Sequence, residues 1–354
     1  NSMDTVIVLG TDSPIGLAVI RDLGRHGFKV VGVGSHQHSL GLMSRYCSRA
    51  VIRNTTPDAL IDQLVEIASG PGQTFLISIG ESDINLVNQH RTRLAQCMTL
   101  LDPRAQQMAK VLDKSQTLEI AQQVGIQTPH CYQIERFEQL ASLRQQLEFP
   151  VVLKWSNPHL VNPSLQRHGL TLLKLEYCQS FEQLQAALSK YRPVEYYPLI
   201  QRYCAGYGIG QFFLCRRGQS LVEFQHRRIN EWPPEGGSST LCQALPSIQH
   251  SDCMEKSRQL LAALNWDGVA MVEYRYDPRT NTYWLMEING RFWGSLPLAT
   301  RSNVGFASNL VNVIGKHSAL ITGDVESDLK SRYMIPEFKR LVRIVLRPSQ
   351  IADP

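Results

Sequence analysis

The sequence predicts a protein of mixed α/β and α+β class, in which a small doubly wound parallel sheet precedes a larger region of two parts. Apolar runs at residues 5–10 and 29–33 flank a helix-like segment at 17–26, which is the pattern of a βαβ unit. Two further runs rich in strand-forming residues, at 269–276 and 283–288, are separated by polar turn residues. These two runs predict a β-hairpin.

Length and composition indicate an ordinary globular protein of two or three domains. The chain has 354 residues, of which 43% are hydrophobic and 19% charged, so disordered and collagen-like classes are excluded. The formal net charge is only +5, and no long basic block occurs. We therefore expect no nucleic acid as the main ligand.

The cysteines and the hydropathy pattern indicate the compartment. The eight cysteines form no C-x-x-C pair and no zinc-like spacing, which is typical of reduced, buried thiols. No apolar run of about 18 residues or more predicts a membrane span, and the start of the sequence has no charged-then-apolar signal segment. We expect a cytoplasmic protein.

The first 110 residues continue the alternation of strands and helices. Predicted helices at 57–69 and 83–95 flank a strand at 74–79, and a short apolar pair at 100–101 follows. We therefore predict a doubly wound domain at 3–110.

The turn of the first βαβ unit only partly resembles a dinucleotide fingerprint. Gly10 and Gly16 are present, but the middle glycine is missing and no acidic residue follows Val33. A tight turn without a ligand is at least as good an interpretation, although a helix N-terminus can accept an anion. An NAD(P)-dependent oxidoreductase using this unit remains an alternative.

A new helix is predicted from Asp113. This residue is a suitable N-cap, and Gly125 is a suitable residue just past the helix end. Lys114 then lies at the positive end of the helix macrodipole, which hints at a bound anion, although an exposed lysine in a first turn is also common.

The strand predicted at 149–154 ends in Lys154. Such a lysine either extends to solvent or directs its charge at a phosphate. Residues 157–169 lack periodicity and predict a mobile flap, followed by a strand at 170–176 and a helix at 180–191.

Two glycine-containing segments follow. A strand at 197–204 leads into 205–210, whose three glycines predict either close approach of a ligand or a bulged hairpin. A strand at 221–228 carries basic residues towards 233–239, which predicts an anion-binding nest or, alternatively, a solvated strand edge. The remaining predicted elements are helices at 252–264 and 307–314 and a strand at 340–346.

The hairpin near the end of the chain predicts a metal site. Antiparallel pairing sets Glu273 against or diagonal to Glu287, and the two-residue period places Asn289 on the face of Glu287. Facing carboxylates call for a cation or a shared proton, and oxygen ligands suit Mg²⁺ with nucleotide phosphates. Arg291 adds a fixed positive charge for an anionic substrate. A solvated hairpin whose carboxylates spread apart is the alternative.

With these motifs in order, almost the whole chain resembles the ATP-grasp superfamily, in particular carboxylate-amine ligases related to the large subunit of carbamoyl-phosphate synthetase and to biotin carboxylase. The resemblance implies a two-lobed ATP-grasp fold, with lobes at 111–197 and 198–354. It also implies that Lys114 and Lys154 contact the phosphates of ATP.

The resemblance implies further site residues. The main chain of the hinge would bind adenine, and its residues are Gln201, Arg202, Tyr203 and Cys204. The ligands of Mg²⁺, for which Mn²⁺ could substitute, would be Glu273, Glu287 and Asn289. Arg291 would bind the substrate carboxylate or an acyl phosphate, and Arg228 would lie near the γ-phosphate.

The implied activity is that of a ligase. ATP would convert a substrate carboxylate into an acyl phosphate, which an amine would attack to give an amide, ADP and phosphate. The implied partners are therefore a small-molecule carboxylate and an amine, and the chain could form a homodimer. A non-catalytic nucleotide-binding module is the second alternative.

Overall fold

The structure is a computed structural model that describes residues 3–232, 238–323 and 328–346. The chain forms two compact units. The first takes in the described residues of Asn1–Met108, Ile209–Val272 and Asn289–Pro354, and the second consists of Ala109–Gly208 and Glu273–Ile288. The division into three consecutive domains stays a prediction.

A five-stranded sheet opens the first unit. Its strands are β1 (Thr5–Leu9), β2 (Lys29–Gly34), β3 (Cys47–Ile52), β4 (Thr74–Ser78) and β5 (Thr99–Leu100). Their order is β3-β2-β1-β4-β5 and every pairing is parallel, which confirms the doubly wound sheet.

Five helices connect and follow these strands. They are α1 (Pro14–Arg25), α2 (Pro57–Ala68), α3 (Glu81–Gln89), α4 (Arg91–Leu94) and α5 (Ala105–Leu112). Gly16 lets α1 pack closely on the preceding turn, because a Cβ atom there would lie 2.4 Å from the carbonyl oxygen of Gly10.

The second unit contains a four-stranded sheet with helices. In chain order its elements are α6 (Lys114–Gln123), β6 (Cys131–Tyr132), α7 (Leu140–Leu143), β7 (Val151–Lys154), α8 (Pro158–Arg167), β8 (Glu176–Cys178), α9 (Phe181–Ser189) and β9 (Leu199–Arg202). The strand order is β6-β9-β7-β8, and all three pairings are antiparallel. Leu153, Trp155 and Ile200 lie in the buried core of this unit.

The remaining elements complete a six-stranded sheet and its helices. They are β10 (Tyr207–Arg216), β11 (Gln219–Trp232), β12 (Ser238–Ala244), α10 (Ser251–Ala263), β13 (Gly268–Asp277), β14 (Thr282–Asn289), α11 (Leu296–Arg301), α12 (Phe306–Asn309), a π-helix (Leu310–Gly315), β15 (Lys330–Arg332) and α13 (Met334–Leu346). The strand order is β14-β13-β10-β11-β12-β15. The chain crosses from one unit to the other within β10, β13 and β14.

The first unit has a core built from both ends of the sequence. Val8 and Phe75 of the parallel sheet belong to the same buried cluster as Phe212 and Trp293, whose rings stack with centroids 4.3 Å apart. The buried carboxylate of Asp22 accepts hydrogen bonds from the backbone N–H of Ser308 at 3.0 Å and from its hydroxyl at 2.8 Å. Residues far apart in sequence therefore complete this unit together.

The predicted flap at 157–169 is wrong, because most of it is the helix α8. The side chain of Asn157 caps the helix by accepting the backbone N–H of Leu160 at 3.3 Å. Val161 and Leu165 are four residues apart and both buried, so the segment has a helical apolar face.

Two predicted strands also differ from the structure. Residues 170–175 are irregular, and strand structure begins only at Glu176, because Leu170 and Leu172 pack on the core without ladder partners. The predicted strand at 340–346 is the end of helix α13, whose apolar residues recur at the helical spacing of 338, 341, 342 and 345. The glycine-rich segment at 233–237, predicted to form an anion nest, lies outside the described residues. Among the described residues, no helix is long and apolar enough to span a bilayer.

Candidate active site

Lys114 begins helix α6 in the second unit, as predicted. The carboxylate of Asp113 caps the helix by accepting the backbone N–H groups of Ser115 and Gln116 at 3.0 and 3.2 Å. The backbone N–H of Lys114 donates to the carbonyl of Ser156, two residues beyond strand β7, at 2.9 Å. These bonds hold the start of α6 beside the end of β7.

The side chain of Lys114 forms an ion pair with Glu287. Its Nζ atom lies 3.1 Å from Oε2 of Glu287, and both side chains are mostly buried. A predicted phosphate-binding lysine and a predicted metal ligand thus occupy the same small volume of the second unit.

Lys154 ends β7 and lies near the same charges. Its Nζ atom has the thioether sulfur of Met286 as a hydrogen-bond acceptor at 3.9 Å. Burial lowers the pKa of Lys154, the nearby charge of Lys114 lowers it further, and Glu287 and Glu273 oppose that effect. Two lysines and two carboxylates therefore interact electrostatically within this unit.

Glu273 and Glu287 lie on neighbouring strands. Residues 278–281 form a turn that joins β13 to β14, so the predicted hairpin is confirmed. Glu273 is buried, with 8% of its surface exposed, whereas Glu287 is partly exposed.

The donor set fits a magnesium ion that shares its coordination with phosphates. Within residues 3–232, 238–323 and 328–346, no group of three or more His, Cys, Asp and Glu side chains could hold a metal ion by itself. Mg²⁺ in nucleotide sites commonly takes one or two protein carboxylates and completes its shell with water and phosphate oxygens. Glu273 and Glu287 supply oxygen donors of that kind.

A narrow cavity separates these side chains. It has a volume of about 10 Å³, and its walls include Lys114, Lys154, Gln201 and Glu287. That is room for about one water molecule, whereas sites for drug-sized ligands measure several hundred cubic ångströms. The cavity between these side chains is therefore too small for a nucleotide in this structure.

Gln201 is the hinge residue that lines the cavity. It is buried in β9, paired with Val152 of β7 and Cys131 of β6. The side chain of Arg202 instead forms an ion pair with Glu148 at 2.8 Å.

The hinge main chain is partly engaged by the protein. The backbone N–H of Arg202 donates to the carbonyl of His130 at 2.9 Å, and that of Tyr203 donates to Pro150 at 3.3 Å. Burial raises the pKa of the Cys204 thiol to about 11, so this side chain is neutral near pH 7.

The glycines after the hinge have structural reasons within the protein. Gly206 has a φ of +112°, and a Cβ atom there would lie 2.0 Å from the carbonyl oxygen of Tyr276. In the first unit, a Cβ atom on Gly210 would lie 2.5 Å from Nε2 of His226. Close packing of strands therefore accounts for both glycines.

The other predicted site residues belong to the first unit. Asn289 ends β14, the strand that also carries Glu287. Nη1 of Arg228 lies 3.3 Å from Oε1 of Glu231. Nε of Arg291 lies 3.1 Å from Oε1 of Glu81.

Glu81 is a site candidate that the sequence analysis missed. It follows Gly80 at the carboxyl end of β4 and begins α3. An acidic residue just beyond an inner strand of a doubly wound sheet was an available signal, because ligands of such sheets bind at this edge. Its pairing with Arg291 spans 210 positions and has no local signature.

The turn after β1 makes its contacts within the protein. Asp12 accepts the backbone N–H of Ser35, just beyond β2, at 3.0 Å and also accepts the hydroxyl of Ser35. In dinucleotide-binding units, the position just after the second strand carries an acidic residue that binds the ribose. In this chain that position is Ser35, which is hydrogen-bonded to Asp12.

Comparison with known proteins decides the fold. No protein-family model matches this chain, and no curated protein matches it in sequence. A solved structure of biotin carboxylase from Campylobacter jejuni, in a complex with β,γ-ATP, is similar to it with a TM-score of 0.70 and 13% identity, covering 92% of this chain and 74% of the other. The chain has the ATP-grasp fold.

Two further solved structures agree. The structure of N5-carboxyaminoimidazole synthetase from Staphylococcus aureus, complexed with ADP, is similar with a TM-score of 0.68 and 11% identity. The match covers 91% of this chain and 79% of the synthetase chain. The structure of L-amino acid ligase from Bacillus licheniformis is similar with a TM-score of 0.62 and 16% identity. The match covers 88% of this chain and 73% of the ligase chain. The ATP-grasp fold thus extends over about nine-tenths of the chain, as the motifs predicted.

Proposed function

We propose that this protein is an ATP-dependent ligase that activates a substrate carboxylate as an acyl phosphate for attack by an amine. The observation that carries the proposal is the cluster of Lys114, Lys154, Glu273 and Glu287 in the second unit, where two lysines and two carboxylates converge. The fold supports it, since neighbours of this fold include an amino acid ligase and carboxylases that bind adenine nucleotides.

The two lysines are proposed to bind the phosphates of ATP. Lys154 carries a partly buried charge whose described hydrogen-bond acceptor is a thioether, so a phosphate oxygen would be a far stronger acceptor. Lys114 would exchange Glu287 for a phosphate. This exchange is needed because the cavity between them has only about 10 Å³.

The two glutamates are proposed to bind magnesium, with Asn289 as the third ligand and Mn²⁺ as a substitute for Mg²⁺. When bound, the ion would neutralise phosphate charge and orient the γ-phosphate for transfer. Once its ion pair with Lys114 is broken, Glu287 would have an uncompensated negative charge with which to bind the metal ion.

The remaining residues are proposed to position the substrates. The main chain of Gln201, Arg202, Tyr203 and Cys204 would hold adenine. Arg228 would neutralise charge near the γ-phosphate. Arg291 would release Glu81 and bind the substrate carboxylate, since a guanidinium pairs with a carboxylate through two parallel hydrogen bonds.

A screen for ADP release tests the proposal. The protein is incubated with ATP and Mg²⁺ and a matrix of amino acids, sugar acids and amines, and ADP formation is measured with each carboxylate and amine alone and together. ADP release that requires both supports the ligase. Nucleotide binding without ADP release over the whole matrix supports a non-catalytic module. A thermal-shift panel of ATP–Mg²⁺ and NAD(H) identifies an oxidoreductase if only NAD(H) stabilises the protein.

A further inference from the structure

The first unit contains a second cleft, formed by residues outside the lysine and glutamate cluster. It has a volume of about 480 Å³, which lies within the usual range for small-molecule sites. Its walls come from separate parts of the sequence, namely the start of α4, the segment after β5, the β10–β11 turn and the end of the π-helix.

Four arginine residues line this cleft, and we call it the arginine cleft. They are Arg91, Arg104, Arg216 and Arg217. Arg91 is half-buried and the other three are exposed, and within the described part of the chain none of the four forms an ion pair with a carboxylate side chain. The four arginines outnumber the two acidic residues that line the cleft, Asp102 and Asp267, so the cleft carries a net positive charge.

Arg91 is the fixed member of this set. It is half-buried, and its guanidinium donates to Oδ1 of Asn88 at 3.0 Å and to the main-chain carbonyl of Asp102 at 2.8 Å. These acceptors are neutral, so they orient the side chain without compensating its charge. Burial lowers the pKa of Arg91, the nearby charge of Asp102 opposes that effect, and the charge of Arg104 lowers the pKa further.

The two carboxylates at the cleft form no ion pair with the arginines in the described residues, although Asp102 and Arg91 interact through their charges. Oδ1 of Asp102 accepts the backbone N–H of Ser78 at 2.7 Å, and its Oδ2 atom is buried without a hydrogen-bond partner in the described residues. Asp267 is bonded to the main-chain N–H of Arg217 at 2.5 Å. Both carboxylates are thus directed at backbone groups.

The cleft also has an apolar wall. Leu101 and Pro103 are buried and Ile314 is half-buried, and all three line the cavity. Guanidinium groups beside a carbon-lined wall match a ligand with a compact anionic end and an uncharged body.

We propose that the arginine cleft binds a phosphorylated small molecule, with its phosphate on the guanidinium groups of Arg91, Arg104 and Arg216 and its organic body against Leu101 and Ile314. Arginine suits this role because its planar fork of donors matches phosphate oxygens bidentately. The site uses none of the residues assigned to ATP, so it stands or falls independently of the proposed ligase activity.

Calorimetric titration of the full chain tests the proposal. The probes are glycerol 3-phosphate, glucose 6-phosphate and ribose 5-phosphate, with glycerol, glucose, ribose and inorganic phosphate as their counterparts. We expect at least one phosphate ester to bind more tightly than inorganic phosphate, and the neutral counterparts not to bind. No binding by any ester, or equal binding of ester and inorganic phosphate, overturns the proposal.

Variants assign the binding to the cleft. The double variant Arg104→Gln/Arg216→Gln is expected to weaken ester binding by about 100-fold, since each of the two lost charge-assisted contacts is worth about tenfold in affinity. Arg49→Gln, which changes an exposed arginine outside the cleft, and Lys154→Met are expected to leave it unchanged. Loss of ester binding in Lys154→Met with full binding in the double variant would refute the assignment. Arg91→Gln adds a second test, and circular dichroism checks that it folds.

Discussion

Nζ of Lys114 lies 3.1 Å from Oε2 of Glu287, so the residue predicted to bind phosphate and the residue predicted to bind metal neutralise each other. In this arrangement each of the two half-buried charges has the other as its partner. Nucleotide and metal would each take one member of the pair. The variants below test the two members of the proposed site, the metal ligand and the phosphate-binding lysine, separately.

Glu287→Gln is expected to reduce ADP release by at least about 100-fold, because an amide cannot supply the negative charge that a metal ion requires. The fold should persist, since glutamine can still accept a hydrogen bond from Lys114. A coupled assay of ADP formation measures the effect, and Glu135→Gln, at an exposed position of the same unit, is the matched control. Turnover like that of the wild type would remove Glu287 from the metal site.

Lys154→Met is expected to weaken ATP binding by tenfold or more, on the order of one charge-assisted contact. Stability without ligand should not fall, because burial and the charge of Lys114 already disfavour the charged amine. Calorimetry with ATP–Mg²⁺ and chemical denaturation measure the two effects, with the exposed Lys174→Met as control. A variant that loses stability but keeps its ATP affinity would indicate a purely structural lysine.

Glu81→Gln is expected to lower the concentration of carboxylate that gives half-maximal ADP release. The variant removes the charge that competes for Arg291, and a partly exposed ion pair is worth up to about 1 kcal/mol, or roughly fivefold. Arg291→Gln should shift the same constant in the opposite direction. If both variants leave the half-maximal concentration of carboxylate unchanged, Arg291 does not bind the substrate carboxylate.

Asp102→Asn is expected to flatten the pH dependence of stability between about pH 4 and 6. Burial raises the pKa of Asp102 from 3.8 to about 6. The folded protein therefore binds a proton more tightly than the unfolded chain, and this contribution is lost as pH rises through 6. The difference amounts to about 3 kcal/mol at most. Urea unfolding at several pH values compares variant and wild type, and parallel curves would contradict the prediction.

The sequence predicted those features that depend on local patterns. Asp113 as N-cap, the lysine at the end of β7 and the hairpin that carries Glu273 and Glu287 all follow from spacing over a few residues, and each is present. The ATP-grasp resemblance combined these local patterns into one fold, which the solved structures support.

Features that depend on tertiary contact could not be predicted in this way. Glu81 meets Arg291 across 210 positions, and Arg91 approaches the β10–β11 turn only through folding. The segment at 157–169 was misassigned because its polar and proline residues masked a short helical apolar face formed by Val161 and Leu165. The polarity of a short segment does not predict its secondary structure when the burial of two apolar residues stabilises a helix.

The hydrogen bonds between Asp22 and Ser308 bear on the order of synthesis. His26, four residues on, lies 3.0 Å from the carboxylate of Asp22, but Ser308 is 286 positions away, so its two donors become available only after a ribosome has added that stretch of chain. Residues 109–208, the larger part of the second unit, emerge well before that point. The hydrogen bonds from Ser308 that complete the first unit therefore form after residues 109–208 of the second unit have been synthesised.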